Sequence, residues 1–329
     1  MNIAEALGLF IFAIISYNIA LLYGTVGEIL NEKAGSLNLG VEGIMAVGGM
    51  GGYLIGCSTD SMFAALLGAF IVGGLCGLLF AFLTVTLQAN QNVIGLTITT
   101  FGLAVYFFIG RGLGDKFPKL ADSPSFQNAF KAVDMGALSD IPVIGKALFS
   151  QSPLVYLAIA IAIVAGVFLK RTKAGLRVRA VGENPGAADS AGINITAVKY
   201  TNIICGTGIM GLGGLYLSLY MGGSFEGSAT WTNGLGWIAI ALVIFANWKP
   251  IAAIFGTLIF GLFFTLDTSK LVLIDAMPFL SFLSKIPTEL YSALPFIITA
   301  IVLIISSVRK HKNNNEPSAI GLNYFREER

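Results

Sequence analysis

Long apolar segments alternate with short polar connections along most of this chain, and the alternation predicts its elements. A helix crosses the hydrocarbon core of a bilayer with about 17 to 25 mostly apolar residues. The seventh apolar segment is too short for this and predicts a half-helix or a re-entrant segment, so we expect eight to ten crossings. The pattern predicts nine segments: Leu7–Tyr23, Leu39–Cys57, Met62–Leu87, Val93–Gly110, Leu154–Leu169, Tyr200–Tyr220, Leu235–Ala246, Ile251–Leu266 and Leu290–Val308.

Composition agrees with an all-α, polytopic transmembrane bundle embedded in membrane lipid. Of the 329 residues, 55% are hydrophobic and only 12% are charged, whereas soluble domains carry about 25% charged residues. The 40 glycines favour close contact between helices in lipid, because small residues let the backbones approach. The charges lie in the connections and are balanced, so a nucleic-acid partner is not expected.

The distribution of Lys and Arg predicts the topology. A polar segment with five basic residues begins at Lys170, and basic residues near membrane ends mark the cytoplasmic side. Residues 170–198 are then a cytoplasmic loop, residues 112–153 an extracellular loop and residues 309–329 a polar, flexible cytoplasmic tail. The transmembrane domain covers residues 1–308. We expect the N-terminus outside and the C-terminus inside the cell membrane.

Within the cytoplasmic loop, the residues after Glu183 carry the signals of a separate small helix. Asn184 is a good N-cap, Pro185 suits the first helical position and Gly192 can adopt the left-handed closing conformation. The sequence therefore predicts a capped helix of about two turns on the cytoplasmic face, which is a shape that another protein can bind.

Two groups of polar residues are candidates for a translocation path. Glu42 starts a long apolar segment just after Asn38 and Gly40, and ionisable residues inside a membrane usually face a cavity or a partner. The glycines here allow an unwound backbone, which a membrane tolerates only where it is buried or lines a wet path. Alternatively, Glu42 pairs with a neighbour or caps a helix. The second group either lines a path or holds helices together, and consists of Asn92, Thr97 and Thr100.

The chain lacks the usual motifs of an enzyme or a metal protein. It has one histidine, and its three cysteines form no CxxC pair, so no metal or cofactor is expected. It has no GxxxxGK[ST] phosphate loop, GxSxG or HExxH. If ATP powers its activity, another subunit must hydrolyse it.

The order of the segments contains a faint symmetry. Segments one to four and six to nine have similar layouts, each with a Gly-rich or broken segment early on. Because the two sets start from opposite sides of the membrane, we interpret them as a possible inverted repeat, as found in many transporters.

Two motifs resemble a known family. The segment from Glu32 to Met45, EKAGSLNLGVEGIM, resembles the signature of ABC importer permeases of the branched-chain amino acid, ribose and nucleoside group. The segment from Gly175 to Ile193 is similar to the cytoplasmic loop of that family. The residues around Asn38 look most like simple-sugar and nucleoside permeases. Where these permeases carry a Gly-rich run, this chain has Ala246–Pro250, which leaves the local backbone and the substrate open.

The resemblance implies a coupling helix at Asn184–Ala191 that docks on an ABC ATP-binding subunit. It also implies a second permease subunit, the same or related, and an extracytoplasmic substrate-binding lipoprotein. The chain itself would be a permease for a nucleoside or simple sugar and would not be an enzyme. Branched-chain amino acid transport and an ion-driven transporter, with Glu42 as the relay, stay open. The implied coupling residues are Gly182, Glu183, Asn184, Pro185, Ala187, Ala188 and Gly192.

Overall fold

The chain folds as a bundle of α-helices. A computed structural model describes residues 3–113, 119–133, 135–139, 141–223, 230–308 and 316–325, and no β-strand occurs within these ranges. A π-helical turn, Phe82–Thr86, extends the third helix. The helices are α1 (Ile3–Lys33), α2 (Val41–Thr59), α3 (Met62–Ala81), α4 (Gln91–Leu113), α5 (Pro124–Phe130), α6 (Ile144–Phe149), α7 (Pro153–Arg171), α8 (Lys173–Glu183), α9 (Pro185–Ser190), α10 (Ile195–Tyr220), α11 (Leu235–Phe245), α12 (Pro250–Ala276) and α13 (Thr288–Val308).

Each predicted apolar segment forms a helix, and the short seventh one is an 11-residue helix, α11, which confirms the predicted half-helix length. The 19-residue α2 and the helix α13 complete the nine segments, and nine crossings stay a prediction. Within the described residues, six helical stretches are long and apolar enough to cross a membrane by length and composition alone: Ile3–Lys33, Met62–Thr86, Gln91–Gly110, Pro153–Arg171, Ile195–Tyr220 and Pro250–Ala276.

Helix α1 differs most from its predicted segment. The apolar pattern ends it at Tyr23, whereas the helix continues to Lys33. Thr25, Glu28 and Asn31 in this extension are fully buried and make hydrogen bonds inside the bundle. The Thr25 hydroxyl, for example, donates to the carbonyl oxygen of Ala239 at 3.2 Å.

Glycines bring α2, α3 and α10 into backbone contact at the centre of the bundle. A side chain on Gly48 would lie 2.6 Å from Cα of Gly211, and one on Gly73 would lie 2.5 Å from the carbonyl oxygen of Thr207. Such contacts exclude any side chain larger than hydrogen. The glycine patterns therefore form packing faces, as the sequence predicts.

The contacts between α1 and α10 give the relative direction of these two helices. In α10, Gly206 lies beside Gly27 of α1, and the Tyr216 hydroxyl donates to the carbonyl oxygen of Ser16, so α1 and α10 are antiparallel. We call the end of the bundle with α8 and α9 the α9 side, and the opposite end the far side. Helix α1 runs from the far side to the α9 side.

Helices α2 and α11 both begin inside the bundle. Val41 lies beside Gly24, well before α1 ends at Lys33, so residues 34–40 turn back into the bundle as non-helical chain. Helix α11 likewise begins inside the bundle, where Gly236 lies beside Glu42, although the preceding α10 ends on the far side. The pairs α1–α2 and α10–α11 thus have the same plan in opposite directions, which is the arrangement expected of an inverted repeat.

The predicted extracellular loop, residues 112–153, packs on the far side of the bundle in the parts that the structure describes. It contains the short helices α5 and α6. Phe126 is fully buried and contacts the ring of Tyr53. The Asp60 carboxylate accepts a hydrogen bond of 2.9 Å from the backbone N–H of Phe126, and this bond lowers the pKa of Asp60.

The predicted cytoplasmic loop, residues 170–198, contains α8 as well as α9, and the Thr172 hydroxyl caps α8 by accepting from the backbone N–H of Gly175 at 2.9 Å. One prediction for the tail needs correction. The tail was expected to be flexible, but residues 316–325 lie against the α9 side with Ala319 buried. The tail residues 309–315 and 326–329 lie outside the described residues.

Candidate functional site

Helix α9 has the caps that the sequence predicts. The Asn184 side-chain oxygen accepts a hydrogen bond of 2.9 Å from the backbone N–H of Ala187, and Pro185 is the first helical residue. At the other end Gly192 has a φ of +78°. The N–H of Ile193 donates to the carbonyl oxygen of Ala188 at 3.0 Å, which is the closing bond of a Schellman motif. The caps are confirmed.

One face of α9 is buried and the other is open. Ala188 packs against Val181 and Ile195, whereas Ala187 and Ala191 are exposed. A groove of about 760 Å³ runs beside the helix and is lined by Gln88, Asp189, Gly192, Ile193, Asn194, Ile195, Thr196, Tyr324 and Phe325. The open face and the groove leave room for a partner.

The end of α8 touches the signature segment directly. Gly182 is buried, and a side chain at this position would collide with the carbonyl oxygen of Lys33. Gly35, with a φ of +79°, lies over the same glycine. Glu183 is exposed and accepts a hydrogen bond of 3.0 Å from the Ser318 hydroxyl. The end of α8 is therefore in direct backbone contact with residues 33–35.

The non-helical residues 34–40 satisfy their backbone groups with buried side chains. The N–H of Asn38 donates to Glu28 and the N–H of Leu37 to Gln91, both at 2.8 Å. The Asn38 side chain accepts from the N–H of Gly40 at 2.8 Å. Because unpaired backbone groups are costly in a membrane, these contacts explain how the segment stays unwound. Asn38 acts here as a local turn residue.

Glu42 caps a helix other than its own. Its carboxylate accepts hydrogen bonds from the backbone N–H groups of Gly234 at 2.8 Å and Gly236 at 2.7 Å, and from the Thr232 hydroxyl at 2.5 Å. Glu42 thus lies in the first turn of α2 and at the start of α11. The capping contact that the sequence allowed is present, and a place of Glu42 on the translocation path stays a prediction.

Two buried acids that the sequence analysis missed lie near the signature segment. Glu28 and Glu32, four residues apart on α1, are 0% and 2% exposed. Glu28 accepts from Asn31 at 2.9 Å, and Glu32 accepts from the indole N–H of Trp248. Their spacing on one helix face was the available signal, but the predicted segment stopped at Tyr23.

The three polar residues of α4 face away from the core of the chain. Asn92, Thr97 and Thr100 are exposed, and the two threonine hydroxyls donate only to carbonyl oxygens one turn earlier in the same helix. The structure therefore separates them from Asn38 and Glu42, which are buried. If they line a path, its other wall must come from another subunit.

Comparisons with known proteins agree with these features. A family model described as branched-chain amino acid transport system, permease component, matches residues 10–303. The chain is 32% identical to the nucleoside ABC transporter permease protein NupC of Lactococcus lactis over 99% of both chains. It is 33% identical to the putative glucose ABC transporter permease protein TsgC13 of Haloferax volcanii, over 93% of this chain and 94% of that one. It is 30% identical to the guanosine ABC transporter permease protein NupQ of Bacillus subtilis, over 92% and 93%.

Proposed function

Because this chain belongs to the family of branched-chain amino acid transport permeases and is a multi-pass permease subunit of an ABC importer, we propose that it carries a nucleoside across the cell membrane. Two of the three relatives above are named for nucleosides or guanosine. A simple sugar is the second candidate, because the third relative is named as a putative glucose permease.

The exposed face of α9 supports the second part of the proposal, which is that this chain is coupled to ATP hydrolysis by a partner. A capped helix of six residues with a buried back and an open front is suited to docking. We infer that a separate ATP-binding subunit docks on α9 and hydrolyses the ATP. The basic residues that precede α9 support a cytoplasmic location for this side of the bundle. The N-terminus is then outside, and the substrate-binding lipoprotein delivers solute to the far side.

The contact between Gly182 and Lys33 supports a mechanical role for the signature segment. Nucleotide-driven movement of the ATPase displaces α9, and this displacement reaches residues 34–40 through the end of α8. Helix α2 begins where that segment ends, and helix α11 begins at the carboxylate of Glu42. Their reorientation opens the bundle alternately to the two sides, because the ATPase binds the two states with different affinity.

The exposed polar residues of α4 support a pair of permease subunits. In the proposed pair, Asn92, Thr97 and Thr100 face a path between this chain and a second permease, either the same or related. Hydroxyl and amide groups suit the many hydroxyls of a ribose or a sugar. The held position of Glu42 argues against an ion-driven relay, since its carboxylate is occupied by three donors.

The coupling role is tested by Ala187→Glu, which adds bulk and charge to the open face of α9 without changing the buried Ala188. Uptake of labelled guanosine and co-purification of the ATP-binding subunit should both be lost, while the protein stays in the membrane. Ala174→Glu, at an exposed position on α8, is the matched control and should retain both. Uptake that persists without the ATP-binding subunit and collapses when an ionophore removes the ion gradient would instead show an ion-driven transporter.

The solute class is tested by competition. Excess unlabelled nucleosides should abolish the uptake of labelled guanosine, whereas excess glucose or leucine should leave it unchanged. Uptake of labelled glucose that nucleosides do not inhibit would replace the nucleoside by a simple sugar. Uptake of leucine would instead indicate a permease for branched-chain amino acids.

A further inference from the structure

The C-terminal segment, residues 316–325, lies against the α9 side and has no part in the function proposed above. It follows α13 in the chain and crosses from the end of α8, past α9, to the turn between α3 and α4. Its contacts are hydrogen bonds to three separate elements, so its position is specific.

At one end the segment binds α8 and α9. The N–H of Ala319 donates to the carbonyl oxygen of Gly182 at 2.9 Å, and the Ser318 hydroxyl donates to Glu183 at 3.0 Å. Further along, the Tyr324 hydroxyl donates to the Asp189 carboxylate at 2.9 Å. Asp189 is thereby a side chain of α9 that holds the segment.

The other end of the segment, Asn323 and Tyr324, binds the turn between α3 and α4. The Gln88 amide donates to the carbonyl oxygen of Tyr324 at 3.1 Å, and the Gln91 amide donates to the Asn323 side chain at 3.2 Å. In return the Asn323 amide donates to the carbonyl oxygen of Gln88 at 2.5 Å. The segment therefore connects α9 to α3 and α4, which are separate from it in the chain.

Helix α9 needs such support because a helix of six residues is not stable by itself. Its own buried contact is Ala188 against Val181 and Ile195, with Tyr324 partly buried beside them. The segment lies on this buried side and leaves Ala187 exposed. It supports the back of the helix and keeps the front available for docking.

We propose that residues 316–325 are a positioning element that ties α9 to the α3–α4 turn, so that a displacement of α9 moves α3 and α4 together with α10. The proposal rests on the role of α9 in the proposed function. The chain joins α9 directly only to α8 and α10. The segment adds a hydrogen-bonded link, through which a displacement of α9 also reaches α4, the helix that carries Thr97 and Thr100.

The first test compares two truncations in the complete transporter. Stopping the chain after residue 315 removes the segment, and stopping it after residue 325 is the matched control. Loss of the segment should leave the ATP-binding subunit attached but lower the amount of guanosine transported per ATP hydrolysed by about tenfold, which corresponds to one charge-assisted hydrogen bond. The control should retain the full ratio.

Single substitutions then separate positioning from general stability. Tyr324→Phe and Asp189→Ala each remove the bond between the segment and α9, and both should lower the transport-to-ATP ratio. Asp189→Asn keeps an acceptor oxygen for the Tyr324 hydroxyl and should restore most of it. Thermal stability in detergent should be alike in all three. Equal ratios in all three variants and in the wild type would overturn the proposal.

Hydrogen exchange gives a readout that does not depend on transport. Backbone amides of residues 187–193 and 87–91 should exchange faster in the truncated chain than in the control. Unchanged exchange in both regions would contradict the positioning role even if transport fell. If Ala187→Glu has no effect while exchange does change, the coupling function of α9 fails and the contact of the segment with α9 stands.

Discussion

The carboxylate of Glu42 accepts a hydrogen bond of 2.7 Å from the backbone N–H of Gly236, although 194 positions separate the two residues. The contact joins the start of α2 to the start of α11 inside the bundle. Both helix starts carry partial positive charge from unpaired N–H groups, so one carboxylate complements two helices. This arrangement explains how an acid is accommodated where most of its surroundings are apolar.

Replacement of Glu42 should therefore destabilise the bundle. Glu42→Ala leaves the N–H groups of Gly234 and Gly236 without an acceptor in the protein, which costs on the order of 1–3 kcal/mol for each buried donor. Glu42→Gln keeps one oxygen acceptor and should lie between the wild type and the alanine variant in thermal midpoint. Asp275→Asn, at an exposed position on α12, is the control. A midpoint unchanged in Glu42→Ala would show that the cap contributes nothing.

At residue 248, in the turn between α11 and α12, a glycine should be more stable than an alanine. Trp248 has a φ of +53°, a left-handed conformation that costs about 1–2 kcal/mol for a residue with a β-carbon. Trp248→Ala and Trp248→Gly both lose the bond to Glu32, but only alanine retains the backbone strain. The glycine variant should be more stable by roughly 1 kcal/mol, as measured by thermal unfolding in detergent. The reverse order would show that the turn relaxes.

Two adjacent threonines on α4 should behave differently when the hydroxyl is removed. Thr99 is 6% exposed and donates to the carbonyl oxygen of Leu39 at 2.9 Å, so Thr99→Val should lower the thermal midpoint. Thr100 is exposed and bonds only within its own helix. Thr100→Val should leave the midpoint unchanged and lower guanosine uptake. Normal uptake in Thr100→Val would remove this residue from the proposed path.

Adjacent glycines on α3 offer another matched pair. A methyl group on Gly73 would lie 2.5 Å from the carbonyl oxygen of Thr207, whereas one on Gly74 would be 3.4 Å from the Ile204 side chain. Gly73→Ala should therefore cost about 1–3 kcal/mol through overpacking, and Gly74→Ala should be tolerated. Thermal midpoints of the two purified variants decide the matter, and equal values would show that α3 and α10 separate easily.

The sequence predicted those parts of the molecule whose signals are local. The caps of α9 depend on residues within one short stretch, from Asn184 to Gly192, and each cap forms as expected. The half-helix α11 is equally local, because its length follows from a short apolar run. Helix capping by Glu42 was one of two open readings and is present through contacts from residues 232–236, while its place on a translocation path stays a prediction.

The sequence did not predict the features that depend on distant partners. Past Tyr23, helix α1 carries polar side chains whose partners Trp248 and Ala239 lie far away in the chain. The segment 316–325 has the composition of a flexible tail and is held by Asp189 and Gln88. Whether an exposed residue such as Thr97 meets lipid or a second subunit is likewise not encoded in a single chain.

The docking of residues 316–325 also has a consequence for the order of synthesis. These residues follow the described helices in the chain, so the ribosome makes them after all of those helices. An incomplete chain can thus insert and pack its helices while α9 still lacks its support. If the support is needed for coupling, such a chain would hydrolyse ATP with little transport, and a fusion joined within this segment would impair transport without reducing the amount of protein in the membrane.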